Sequence, residues 1–107
     1  MTVKQTAGRE QLGDFAPQFA HFNDDVLFGE VWADEESLSA RDRSLLTVTA
    51  LITKGAFAQL PYHLQTAKKN GISKQEISAV ITQLAFYVGW PNAWSALNLA
   101  KQVWSEK

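Results

Sequence analysis

Apolar side chains recur at three- and four-residue intervals along most of the chain, and no stretch alternates long enough to mark a strand. The clearest run is Ile77, Val80, Ile81, Leu84, Ala85 and Val88, the spacing of one helix face. Ser73 and Glu76 form a capping box that starts this helix. Upstream, Leu60, Leu64 and Ala67 predict a helix over residues 58–70, and Gly71 supplies its left-handed stop. Leu45, Val48, Thr49 and Ile52 predict another over residues 40–54, entered through Ser39 as N-cap with Asp42 behind it and ended by Gly55. Leu46, Ala50 and Leu51 widen that stripe into the pattern of a central helix. Beyond Gly89-Trp90-Pro91, a last helix carries Ala93, Leu97, Ala100 and Trp104 on one face.

The first forty residues are less regular. Phe15, Phe19 and Phe22 predict a helix over residues 10–22, which Pro17 bends or delays. Asn23 or Asp24 is placed to cap a short helix over residues 26–32, and residues 34–38 form a polar connector. The expected fold is all-α, with five or six helices joined by short turns. It occupies a single domain over residues 1–107, with residues 1–9 as a flexible N-terminal segment.

Composition narrows the class. A chain of 107 residues allows one domain, and 46% hydrophobic with 20% charged residues describes a folded protein rather than a disordered one. Ten basic against eleven acidic residues give no excess of cations for a nucleic-acid backbone. Cysteine is absent, which excludes disulfides and thiol redox chemistry carried by this chain. The two histidines lie far apart without clustered carboxylates, so no metal-ligand pattern is present. Apolar stretches fall well short of the ~20 residues a membrane span needs, and residues 1–9 lack the apolar core of a secretory signal. A cytoplasmic protein with no membrane partner is expected. Four Trp, six Phe and two Tyr exceed what one small core readily hides, so self-association is expected as well.

Ala67-Lys68-Lys69-Asn70-Gly71-Ile72-Ser73, followed by Ile77 and Ser78, has helix-turn-helix spacing. The second helix would present Lys74, Gln75, Ser78, Ala79 and Thr82, a single cation where phosphate binding needs several. The spacing is therefore assigned to the helix junction, and no nucleic-acid partner is expected.

Other segments form an ordered set: Val31-Trp32, residues 38–45 as Leu-Ser-Ala-Arg-Asp-Arg-Ser-Leu, Gln59-Leu60-Pro61-Tyr62-His63, Asn70-Gly71 with Ser73 and Glu76-Ile77, and Tyr87-Val88-Gly89-Trp90-Pro91. The set resembles the carboxymuconolactone decarboxylase family, whose fold is that of the alkylhydroperoxidase D-like proteins. The resemblance implies an all-helical subunit that assembles into homotrimers or homohexamers. It also implies one of two chemistries, thiol peroxidase activity from a CxxC pair followed by His, or cofactor-free decarboxylation of a carboxylated muconolactone. Ala56 and Gln59 stand at the two cysteine positions, His63 matches the family His, and the acidic relay residue is replaced near Ser44. Without a thiolate the peroxidase cycle has no chemistry to run.

The decarboxylase branch calls for a small anionic organic substrate, cations to hold its carboxylates and an acid to protonate carbon. His63 suits proton transfer near neutrality. Arg43 or Arg41 is fitted to clamp a carboxylate, Glu30 is a second acid–base group, Gln59 lies one turn before His63, and Tyr87 and Trp90 are placed to wall a pocket. Each has a plainer alternative. His63 borders an apolar stripe as a structural histidine would, Gln59 suits a solvated cap, the arginines suit salt bridges with Asp42 or Glu30, and Tyr87 and Trp90 suit a core or interface. Family decarboxylases often carry Glu where Gln59 stands, and an amide cannot act as a general base. The leading expectation is a cofactor-independent lyase or isomerase for a small carboxylated lactone or oxo acid. The alternative is a non-catalytic oligomeric ligand-binding or scaffold protein of the same fold.

Overall fold

Pro17 starts a helix instead of bending one. In the computed structural model, which describes residues 4–105, α1 runs Ala7–Leu12 and α2 runs Pro17–His21, where the missing proline N–H falls among the first-turn donors that have no helical partner anyway. The chain then continues without a break into a π-helical segment, Phe22–Val31, closed at its end by an i→i+5 bond from Trp32 N–H to the Leu27 carbonyl at 2.9 Å. The single long helix expected over residues 10–22 is thus two, and Asn23 and Asp24 lie inside a helical stretch rather than capping one. Phe15, Phe19 and Phe22 are 91%, 61% and 52% exposed, so their helical spacing does not mark a core face within this chain.

Asp24 is instead a cap at long range. It is buried, and its carboxylate accepts the backbone N–H of Gly8 at 2.9 Å and of Arg9 at 3.0 Å, two open donors at the start of α1. Asn23 and the Arg9 guanidinium add bonds at 2.9 and 3.3 Å. Arg9 also pairs with Asp25, which receives His21 Nδ1 at 2.9 Å. Residues 1–3 lie outside the described residues, but from Ala7 the N-terminal stretch is helical and Gly8 is buried. These elements belong to one compact unit, Met1–Ala40; the second is Arg41–Lys107.

In the second unit, α3 (Ala40–Lys54), α4 (Leu60–Lys69), α5 (Lys74–Val88) and α6 (Trp90–Ser105) share a core, with α6 packed on both α4 and α5. Ile52, Leu60, Leu64 and Ile81 are fully covered, and burial of each such side chain contributes about 1.5–3 kcal/mol. The core face of α3 is Ser44, Val48 and Ile52; it is narrower than expected, since Leu46 and Ala50 face outward. On α6 the buried positions are Ala93, Ala96, Ala100 and Val103, while Leu97 is exposed and Trp104 half-buried. The small alanines on that face let neighbouring helices approach closely.

The junction with helix-turn-helix spacing has a structural cause. Gly71, at φ +97°, closes α4 in a Schellman motif, with Ile72 N–H on the Ala67 carbonyl at 3.0 Å and Gly71 N–H on that of Lys68 at 3.1 Å. Ser73 and Glu76 then exchange the two bonds of the expected capping box, at 3.0 and 2.9 Å. Three side chains fix the surrounding helix ends. Asn92 donates to the Ile52 carbonyl at 2.9 Å, Trp104 Nε1 to that of Ile72 at 3.0 Å, and Lys68 Nζ to that of Val103 at 3.0 Å.

Candidate active site on the fourth helix

The stripe Leu60–Leu64–Ala67 pins α4 to the core, and His63 sits at the edge of that stripe. Its ring is half-buried, with Nδ1 shielded from solvent, and Tyr62 meets it edge-on at a centroid distance of 5.0 Å. Burial lowers the His63 pKa from its ordinary 6.5, because a desolvated imidazolium is disfavoured. The imidazole is therefore neutral at pH 7, the form that accepts a proton.

Gln59 is the N-cap residue of α4, four positions before His63. The bond from Leu60 N–H to the Ala56 carbonyl carries helical geometry back through Ala56, so Ala56, Gln59 and His63 succeed one another at turn spacing. Gln59 is exposed and makes no side-chain cap bond.

The two arginines differ. Arg41, at the start of α3, is ion-paired with Glu76, the same carboxylate that closes the α5 capping box. Glu76 is held below the usual carboxylate range by the Ser73 backbone N–H and then by Arg41. Arg43, one turn into α3, is half-buried. Tyr87 is 81% exposed at the end of α5. Trp90 opens α6, meets Phe86 edge-on at 6.1 Å, and lines an apolar cleft of about 140 Å³ with Ile81, Ala85 and Trp94. Glu30 is exposed in the π-helical segment of the first unit, whereas the other candidates belong to the second. Gln59 and His63 thus share a helix, while Tyr87 and Trp90 stand at the α5–α6 corner.

Two relationships escaped the sequence. Tyr62 shapes the surroundings of His63, and its place directly before the histidine was the available clue. Asn70 donates to the buried Ser44 hydroxyl at 3.0 Å; no local spacing announces a bond across 26 positions.

Among the described residues the elements are all helical, and a half-buried imidazole sits on a core-anchored helix in a chain without thiols. Residues 17–102 match the carboxymuconolactone decarboxylase family, and the chain belongs to that family. It is 32% identical to a 4-carboxymuconolactone decarboxylase of Acinetobacter baylyi over 91% of this chain and 72% of that protein. It is 31% identical to an uncharacterized 15.0 kDa protein of Paracoccus denitrificans over 94% and 87% of the two chains. A nitrosuccinic acid decarboxylase of Metarhizium robertsii is 33% identical over 65% of this chain and 48% of its own length.

Proposed function

We propose that this protein is a cofactor-independent, decarboxylase-like lyase or isomerase acting on a small carboxylated lactone or oxo acid, with His63 as its proton-transfer group. The observation that carries the proposal is the burial that keeps His63 neutral in a chain of this family. Two relatives named as decarboxylases support the reaction class. In the proposed step the bond to the departing carboxylate breaks and carbon dioxide leaves. The electron pair stays on the substrate as an enolate held by the Arg43 guanidinium. The imidazole, having taken a proton from solvent, delivers it to carbon. Gln59 orients substrate or imidazole, and Tyr87 and Trp90 contribute apolar wall. The ion pair with Glu76 favours a structural task for Arg41.

We place this activity in a homo-oligomer, a homotrimer or homohexamer. Support comes from the exposed Phe86, Tyr87, Trp90 and Trp94, 56–81% accessible on a single subunit, since contiguous apolar surface of this kind marks interaction sites. A cytoplasmic setting accords with the absence, among the described residues, of a helix long and apolar enough to cross a membrane.

The test is carbon dioxide release from a carboxylated muconolactone and from a nitro-substituted succinate. His63→Ala should reduce turnover by roughly 10²–10⁴-fold, the usual contribution of a positioned acid or base, with the helical circular dichroism unchanged. Turnover indifferent to that substitution removes His63 from the mechanism. One observation favours a second reading as a ligand-binding protein: Gln59, exposed one turn before His63, carries an amide that cannot act as a general base. Saturable binding of these compounds without carbon dioxide release would support it.

A further inference from the structure

Between the first turns of α5 and the last turns of α6 lies a cleft of about 310 Å³ that neither His63 nor Arg43 lines, a size at the lower end of small-ligand sites. Its floor is apolar, built from the buried Ile77 and Ala100 with Leu97 beside them. Its wall is the indole of Trp104, held in one orientation by the 3.0 Å bond from Nε1 to the Ile72 carbonyl. The bond from Lys68 to the Val103 carbonyl anchors the same turn of α6, so the wall is preformed. Two ammonium groups, Lys74 from α5 and Lys101 from α6, line the cleft, and neither has a carboxylate partner among the described residues.

We infer that this cleft is a second binding site, separate from the imidazole on α4, and that its ligand is an aromatic carboxylate. The two lysines, which have no carboxylate partner among the described residues, supply the complement to an anion beside a low-polarity surface. The apolar floor and fixed indole suit a ring, which gains offset or edge-on contact with Trp104 beyond its buried area. A purely apolar ligand would leave both ammonium groups unused, and a purely ionic one would leave the floor wet. The helix-turn-helix-like segment, unsuited to a nucleic-acid backbone, thereby finds a use for the lysine at the head of its second helix.

The experiment titrates the full chain with 2-naphthoate and, as the neutral comparator, 2-naphthamide, following backbone amides and the Trp104 indole by NMR. With naphthoate, shifts should centre on Trp104, Ile77 and Ala100. The naphthamide should bind about tenfold or more weakly, the worth of a hydrogen bond to a charged group. The exposed-surface double variant Lys74→Ala/Lys101→Ala should lose affinity by a similar factor, and Lys101→Glu should lose more. Equal binding of the two compounds, or unchanged affinity in the double variant, overturns the proposal. So do shifts centred on Trp90 and Trp94. Because the readout is binding at α5 and α6, it stands apart from any result on turnover at His63.

Discussion

Nδ2 of Asn70 donates to Oγ of Ser44 across 3.0 Å, joining the C-cap of α4 to the core face of α3. Ser44 is 1% exposed, among Val48 and Ile52 on that face, so its hydroxyl needs a partner inside the protein. A position near which the family resemblance places an acidic relay here holds two helices together. Ser44→Ala and Asn70→Ala should each lower unfolding free energy by about 0.5–1.5 kcal/mol. A double-mutant cycle from denaturant melts should return a coupling of similar size, whereas additive losses would mean the bond contributes nothing.

His63 should give the protein an acid-sensitive component of stability. Burial lowers its pKa, so the unfolded chain takes up the proton first as pH falls below 6.5. The contribution is complete above that value and is lost as pH drops through the lowered folded-state value. The urea midpoint of the natural protein should therefore fall on acidification from pH 7, and His63→Gln should flatten the decline in that window. An NMR titration of the His63 ring should give an apparent pKa below 6.5.

The two arginines should separate by experiment. Arg43→Ala should raise KM for an anionic substrate by roughly ten- to a hundredfold, the usual loss for a charge-assisted bond, and Arg43→Lys should recover part of it. Arg41→Ala breaks the pair with Glu76 and should lower the melting temperature with little change in KM. Equal effects on KM would place both guanidiniums at the substrate.

Around Asp24 the expectation concerns the start of the chain. Burial pushes its carboxyl up, but bonds from Asn23 and from the Arg9 and Gly8 backbone outweigh that and hold it below the usual carboxylate range. Asp24→Ala should speed amide exchange at Gly8 and Arg9 by roughly fivefold or more, as loss of a helix cap does. Gly8→Ala should act similarly by another route, since its Cβ would lie 2.7 Å from Asp24 Oδ1 and 3.0 Å from the Ala20 carbonyl. Unchanged exchange in both variants would mean that α1 does not depend on this carboxylate.

From α4 onward the fold was legible because its punctuation is local. Gly71, Ser73 and Glu76 act within five positions, and α5 keeps one apolar face from Ile77 to Val88. The N-terminal region was not, for two reasons. Pro17 opens a new helix, so the spacing of Phe15, Phe19 and Phe22 runs across a helix boundary and misreports which side chains share a face. The partners of Asp24 lie 15 and 16 positions away, which made a distant cap resemble a local one. At the candidate site, the halting points Gln59 and His63 could be read from their spacing on one helix, and the partner of Arg41 could not. Glu76 announced itself as a capping residue, and nothing in its neighbourhood signals that the same carboxylate also receives a guanidinium from 35 positions upstream.

The anchoring of α4 sets a mechanical boundary. Its core stripe, its Schellman terminus, the Asn70 strut to α3 and the Lys68 strut to α6 leave the helix no cheap direction in which to slide or rotate. The imidazole it bears therefore stands on a pinned backbone, and under the proposed chemistry a substrate would have to conform to the place where that backbone holds it.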